Sequence, residues 1–140
     1  MARIVAIDFG EKRTGIAVSD VLQLIANGLT TVDTSQLEQF LGDYVAREPV
    51  ERFVIGLPKT LRNEPAAITD KIMALVERLH LRFPQIPVDL LDERFTSKMA
   101  FQAMIDGGLK KKARQNKAMI DQVSATILLE EYLETKRRNA

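Results

Sequence analysis

Arg3-Ile4-Val5-Ala6-Ile7-Asp8-Phe9-Gly10, close to the N-terminus, sets the architecture of the chain. Residues 4–7 are uniformly apolar and rich in β-branched side chains, which marks a strand buried on both faces, and such a strand belongs in the middle of a sheet. The run ends on a carboxylate, Asp8, and the chain breaks at Gly10. The strand therefore delivers one negative charge to the sheet edge at its C-terminal end. Burying a lone carboxylate costs on the order of several kcal/mol unless it finds a partner. The rest of the chain is read for that partner.

Working outward, a turn over 10–13 and a return strand over 14–19 make a β-hairpin. Residues 21–32 allow two readings, a tight turn at Asn27-Gly28 or a loop throughout that leads into a third strand at about 29–32. Helical spacing of Leu37, Phe40, Leu41, Tyr44 and Val45 predicts a helix over 35–47, with Ser35 and Glu38 as a capping box and Pro49 as its stop. A buried strand over 52–57 follows, closed by Pro58. Ile68, Ile72, Leu75, Val76, Leu79 and Phe83 then share one face of a long amphipathic helix. The last strand is predicted over 88–93. A further helix is predicted from Thr96-Ser97 to about Asp106, stopped by Gly107-Gly108, and a final one over about 116–136. A hairpin or meander followed by βαβ units gives an α/β fold, a mixed sheet centred on the first strand with helices on both faces. Its parallel strands would end on one edge, where open α/β sheets place their ligands.

The 140 residues suit one domain, 1–140, and a hydrophobic share of 46% with 28% charged residues is ordinary for a globular chain. No apolar run reaches the ~20 residues of a membrane span and no signal peptide is evident, so the expected location is the cytoplasm, with no membrane partner. The absence of cysteine excludes disulfides, thiolate metal sites and a cysteine nucleophile. The single histidine, His80, lies mid-helix and is read as a surface or half-buried residue without a role. Charge is polarised. Between residues 20 and 51 six acids face Arg47 alone, whereas between 94 and 117 seven basic residues face Asp106 alone. That is the electrostatic footprint of a chain that docks a polyanion on one side.

Carboxylates remain as the chemistry. Glu93 ends the last strand as Asp8 ends the first, and if the two strands are parallel neighbours their carboxylates fall within a few ångströms of each other. Asp121 lies in helical register with Ala125, Leu128, Leu129 and Tyr132, on a stripe that is otherwise core-facing, so something cationic should wait under it. Each acid alone has an ordinary explanation: a turn cap for Asp8, a pair with Arg94 or Lys98 for Glu93, a first-turn helix acid for Asp121. Together on one edge they favour a site for Mg²⁺ or Mn²⁺, the hard cations that oxygen-only ligands select. Paired ions ~3.5–4 Å apart would serve phosphodiester hydrolysis. The backbone-phosphate contacts are assigned to Lys12, Arg13, Lys59, Arg62, Arg94, Lys98, Lys110, Lys111, Lys112, Arg114 and Lys117.

Asp8-Phe9-Gly10 with Gly15-Ile16-Ala17-Val18, then Ile55-Gly56-Leu57-Pro58, then Asp92-Glu93-Arg94-Phe95-Thr96, then Lys117 with Asp121, form an ordered pattern that closely resembles the YqgF/RuvX family over essentially the whole chain. The resemblance implies a ribonuclease H-like fold and a metal-dependent nuclease described as Holliday junction resolvase-like and as processing the 5′ end of pre-16S ribosomal RNA. It also implies that Asp8, Glu93 and Asp121 match the family's acidic metal-binding positions. Partners would be pre-ribosomal RNA and ribosomal subunit precursors, with the chain a monomer or weak homodimer. Resolvases of this superfamily often carry a fourth acid three residues before the last, where this chain has Ala118. The alternatives are a junction-resolving DNA endonuclease, a non-catalytic RNA-binding assembly factor, or a phosphotransferase using the Asp-x-Gly turn. The last would need a second domain to form its cleft.

Overall fold

The computed structural model describes residues 2–58, 68–93 and 117–138, and for residues 58, 93 and 117–120 the backbone alone. Among the described residues, strands β1 (Arg3–Asp8), β2 (Arg13–Ser19), β3 (Ala26–Asp33), β4 (Val50–Pro58) and β5 (Val88–Glu93) form one sheet in the order β3-β2-β1-β4-β5. The first strand is central, as a run buried on both faces requires. β1 and β2 pair antiparallel, with Ile7 opposite Ile16 and Asp8 opposite Gly15. β1, β4 and β5 run parallel and end on the same edge.

Alternation along the strands sends side chains to two different layers. Val5, Ile7, Ile16, Phe53 and Ile55 pack on helices α1 (Leu37–Arg47) and α2 (Thr69–Arg82), which contribute Leu37, Leu41, Ile72, Leu75 and Leu79. Ile4, Ala6, Ala17 and Val54 face the other way, onto Ala125, Leu128, Leu129 and Leu133 of helix α3 (Lys117–Arg138). The small residues on this second face let α3 lie close to the sheet. The arrangement is the expected mixed sheet with helices on both faces.

Three expectations need correction. Asn27-Gly28 is not a turn: Asn27 pairs with Val18 and Gly28 with Ala17, and β3 begins at Ala26. The reversal lies over residues 20–25, where Gln23 takes φ 59 and the Asp20 carboxylate accepts the N–H groups of Leu24 and Ile25 at 2.8 and 2.9 Å. Those bonds hold the Asp20 carboxyl below its usual range, the Ile25 N–H most of all. Gly28 serves packing, since a Cβ there would stand 2.8 Å from Gln122 Nε2 and 3.0 Å from Thr126 Oγ1 on α3. Second, the capping box at Ser35 does not form. A 3-10 turn over Thr34–Gln36 precedes α1, its N-cap makes no side-chain bond, and Glu38 instead pairs with Arg78 of α2 at 3.1 Å. Third, β5 is not the neighbour of β1, because β4 runs between them. The predicted helix over 96–106 lies outside the described residues.

Candidate functional site

Asp8 is the last residue of β1 and is half-buried. Its cross-strand partner is Gly15, and a Cβ on Gly15 would run into the backbone carbonyl of Asp121. The glycine is thus the seat on which the start of α3 rests. A side chain of any size there would push Asp121 away from Asp8. Residues directly opposite in an antiparallel pair point to the same face, about 5 Å apart. Asp8 and the Asp121 backbone therefore meet on the α3 side of the sheet.

On the other flank, extending the β1–β4 register by one residue sets Gly56 beside Asp8, and Gly56 in turn pairs with Leu91. Asp8 is flanked by glycines on both neighbouring strands. Glu93 pairs with Pro58 at the end of β5 and alternates with Leu91, which packs on the α3 cluster, so Glu93 stands at a position of that same face. Two strand spacings, roughly 10 Å, separate the backbones of β1 and β5. The separation is larger than adjacent strands would give. The row of Asp8 holds Gly56 and Leu91, and Glu93 lies two residues further along β5, level with Pro58.

The cation expected under Asp121 is Arg13. Its Nε donates to Asp121 Oδ2 at 3.2 Å. Arg13 opens β2, and its position is set by a knot of hydrogen bonds. The Thr34 N–H donates to the Lys12 carbonyl at 2.9 Å, the Thr34 hydroxyl donates to the Gly10 carbonyl at 2.5 Å, and the hydroxyls of Thr34 and fully buried Thr14 lie 2.8 Å apart. Sequence reading took Gly15 and Gly56 only as members of the family-like motifs, without a role at the site, and did not single out Thr34. A glycine inside an apolar strand does mark close backbone approach, and that was the available signal for Gly15.

The donor set suits a hard divalent cation: carboxylate oxygens, no thiol in the chain, and an exposed His80 on α2. Asp121 already binds a positive charge in the form of the Arg13 guanidinium. Among the described residues no group of three metal-binding side chains stands together, and the Glu93 side chain is not among them. Of the predicted phosphate ligands, Lys12 and Arg13 sit at the β1–β2 turn on the Asp8 edge and Lys117 opens α3. Lys59, Arg62, Arg94, Lys98, Lys110, Lys111, Lys112 and Arg114 fall outside the described residues. Among those residues no helix is long and apolar enough to cross a membrane.

A family model described as "RuvX: Holliday junction resolvase" matches residues 2–135. A Bacteroides thetaiotaomicron protein with the provisional name pre-16S rRNA nuclease is 61% identical over 137 residues, covering 98% of this chain and 99% of the relative. A Flavobacterium psychrophilum protein with the same provisional name is 54% identical over 136 residues, covering 97% and 99%. Among solved structures, Thermus thermophilus RuvC in complex with a Holliday junction substrate superposes with a TM-score of 0.55 at 19% identity, covering 96% of each chain. That likeness establishes a shared ribonuclease H-like architecture.

Proposed function

The chain belongs to the RuvX family, and from that membership we propose that it is a divalent-metal-dependent nuclease that hydrolyses phosphodiester bonds in 5′-end maturation of pre-16S ribosomal RNA. The observation that carries the proposal is the seating of Asp121 on Gly15, the residue paired with Asp8, on the strand-end edge where Glu93 also lies. Three acids from three distant parts of the sequence are carried to one edge, an arrangement that a divalent cation would favour. The names of the Bacteroides and Flavobacterium relatives support RNA as the substrate.

In this reading Asp8, Glu93 and Asp121 hold Mg²⁺ or Mn²⁺. When bound, the metal supplies a lowered pKa to the attacking water and charge neutralisation at the leaving oxygen. The chain supplies the rest. The central strand holds Asp8 rigid, Gly15 sets the Asp121 backbone against it, and Lys12 and Lys117 with the basic stretch around Lys110, Lys111 and Lys112 bind backbone phosphates. The domain spans 1–140 and works in the cytoplasm on ribosomal precursors. The family description favours a second reading, cleavage of four-way DNA junctions.

The test is cleavage by purified protein of an RNA spanning the 5′ end of the 16S precursor, with Mg²⁺ or Mn²⁺, beside a four-way DNA junction. Asp8→Asn should slow RNA cleavage by more than about 100-fold, beyond the loss typical of outer-shell partners. Unchanged cleavage in Asp8→Asn would overturn the mechanism. Cleavage of the junction in preference to the RNA would select the second reading.

A further inference from the structure

We propose that Arg13 is the resident cation of the acidic site, holding the Asp121 carboxylate in the metal-free protein and exchanging with the divalent ion when that ion binds. The inference rests on the metal-site reading above and adds how the site is kept before loading. Three observations carry it. The Arg13–Asp121 contact runs through Nε to one carboxylate oxygen at 3.2 Å, a geometry weaker than a two-pronged guanidinium–carboxylate fork. Arg13 is 38% and Asp121 27% exposed, so water and ions reach the pair and screen it. The Arg13 backbone is pinned by pairing with Asp33 and by the Thr34 knot, whereas its side chain has four rotatable bonds.

The chemistry of exchange follows from charge. Gly15 seats the backbone of Asp121 on the strand end that carries Asp8. Arg13 supplies one positive charge to the Asp121 carboxylate there. A divalent ion supplies two and binds carboxylate oxygens directly, so it displaces a partly solvated guanidinium. The freed Arg13 stays tethered beside Lys12 at the edge where substrate phosphates would lie. Loading of the ion and exposure of a phosphate-binding group then become one event.

The experiment follows the ¹⁵N and ¹H resonances of the Arg13 Nε–H during titration of the full chain with Mg²⁺, alongside calorimetric Mg²⁺ binding. Arg13→Lys fixes the assignment, and Asp121→Asn supplies the reference for an unpaired Arg13. Mg²⁺ should move the Nε–H signal of the parent to the Asp121→Asn position, and Arg13→Gln should bind Mg²⁺ about two- to fivefold more tightly because the internal competitor is gone. Mg²⁺ binding with the Nε–H signal unmoved would overturn the exchange and leave the nuclease reading standing. Absence of Mg²⁺ binding would overturn both.

Discussion

At the scale of single residues, the site depends on what is missing from Gly15. The residue lies in a strand where any side chain could be accommodated by the backbone, yet a Cβ would collide with the carbonyl of Asp121. Backbone cannot move aside as a flexible side-chain tip does. Gly15→Ala should therefore cost about 1–3 kcal/mol of stability, as overpacking generally does. It should also cut cleavage by more than the stability loss explains, because Asp121 is displaced from Asp8. Thermal denaturation and cleavage rate of the same preparation check both parts. The sequence draws attention to Asp8 because it ends an apolar run and to Asp121 because it interrupts an apolar helical stripe. The cation found beneath Asp121 is Arg13, which sequence reading assigns to backbone phosphates; it is 108 residues away in the chain and no local pattern links them.

At the scale of elements, α3 has to be held along its whole length if its first turns are to present Asp121. Its far half is fastened to the sheet by polar contacts. The Tyr132 hydroxyl donates to Asp89 Oδ2 on β5 at 2.5 Å, and Arg52 of β4 donates to the same oxygen at 2.8 Å. Near the C-terminal end, Arg137 donates to the Leu24 carbonyl at 2.6 Å and Lys136 to Gln23 Oε1 at 2.9 Å, gripping the turn between β2 and β3. Burial, followed by the bond to Asp89, pushes the Tyr132 phenol up to about 12 from an ordinary 10.0. The sign follows from linkage. The folded protein keeps the proton that the unfolded chain gives up first, so the contribution is complete below pH 10 and is lost as pH rises to about 12. Urea denaturation across that window should show the parent losing stability faster than Tyr132→Phe. At neutral pH the same variant should be less stable by about 1–3 kcal/mol, the scale of a hydrogen bond to a charged group. Equal pH dependence in both proteins would remove Tyr132 from this role.

The same scale explains which elements were readable from the chain. β1 and β4 were evident because central strands buried on both faces are continuous apolar runs, whereas β5 is an edge strand marked by Val88, Leu90 and Leu91 between bracketing prolines and acids. β3 was obscured because it is an edge strand with mostly exposed positions, and its Asn27-Gly28 carries the residue types of a hairpin turn. The insertion of β4 between β1 and β5 could not be read from spacing, since either strand order satisfies a right-handed crossover.

At the scale of the whole molecule, a net charge of +1 conceals a basic segment over 94–117 and an acidic one over 20–51. Uniform charge would bind polyanions weakly everywhere, whereas charge segregated along the chain concentrates the phosphate-binding groups in one segment. The logarithm of RNA affinity should fall linearly with log salt. Replacing Lys110, Lys111 and Lys112 together by alanine should reduce the magnitude of that slope by about 2, at roughly 0.7 per phosphate contact on a single strand. Filter binding or anisotropy over a salt series reads the slope, and an unchanged slope would place the phosphate face elsewhere. The fold class was clear from the strand and helix order, while substrate identity was not, because 2′-hydroxyl contacts leave no pattern in a single sequence.

The central claim is that the strand ends of β1 and β5 and the first turns of α3 build one metal site. Anomalous diffraction from crystals soaked in Mn²⁺ tests it most directly. Manganese density among the carboxylates of Asp8, Glu93 and Asp121 is the predicted result, and well-diffracting soaked crystals with no manganese at that edge would contradict it.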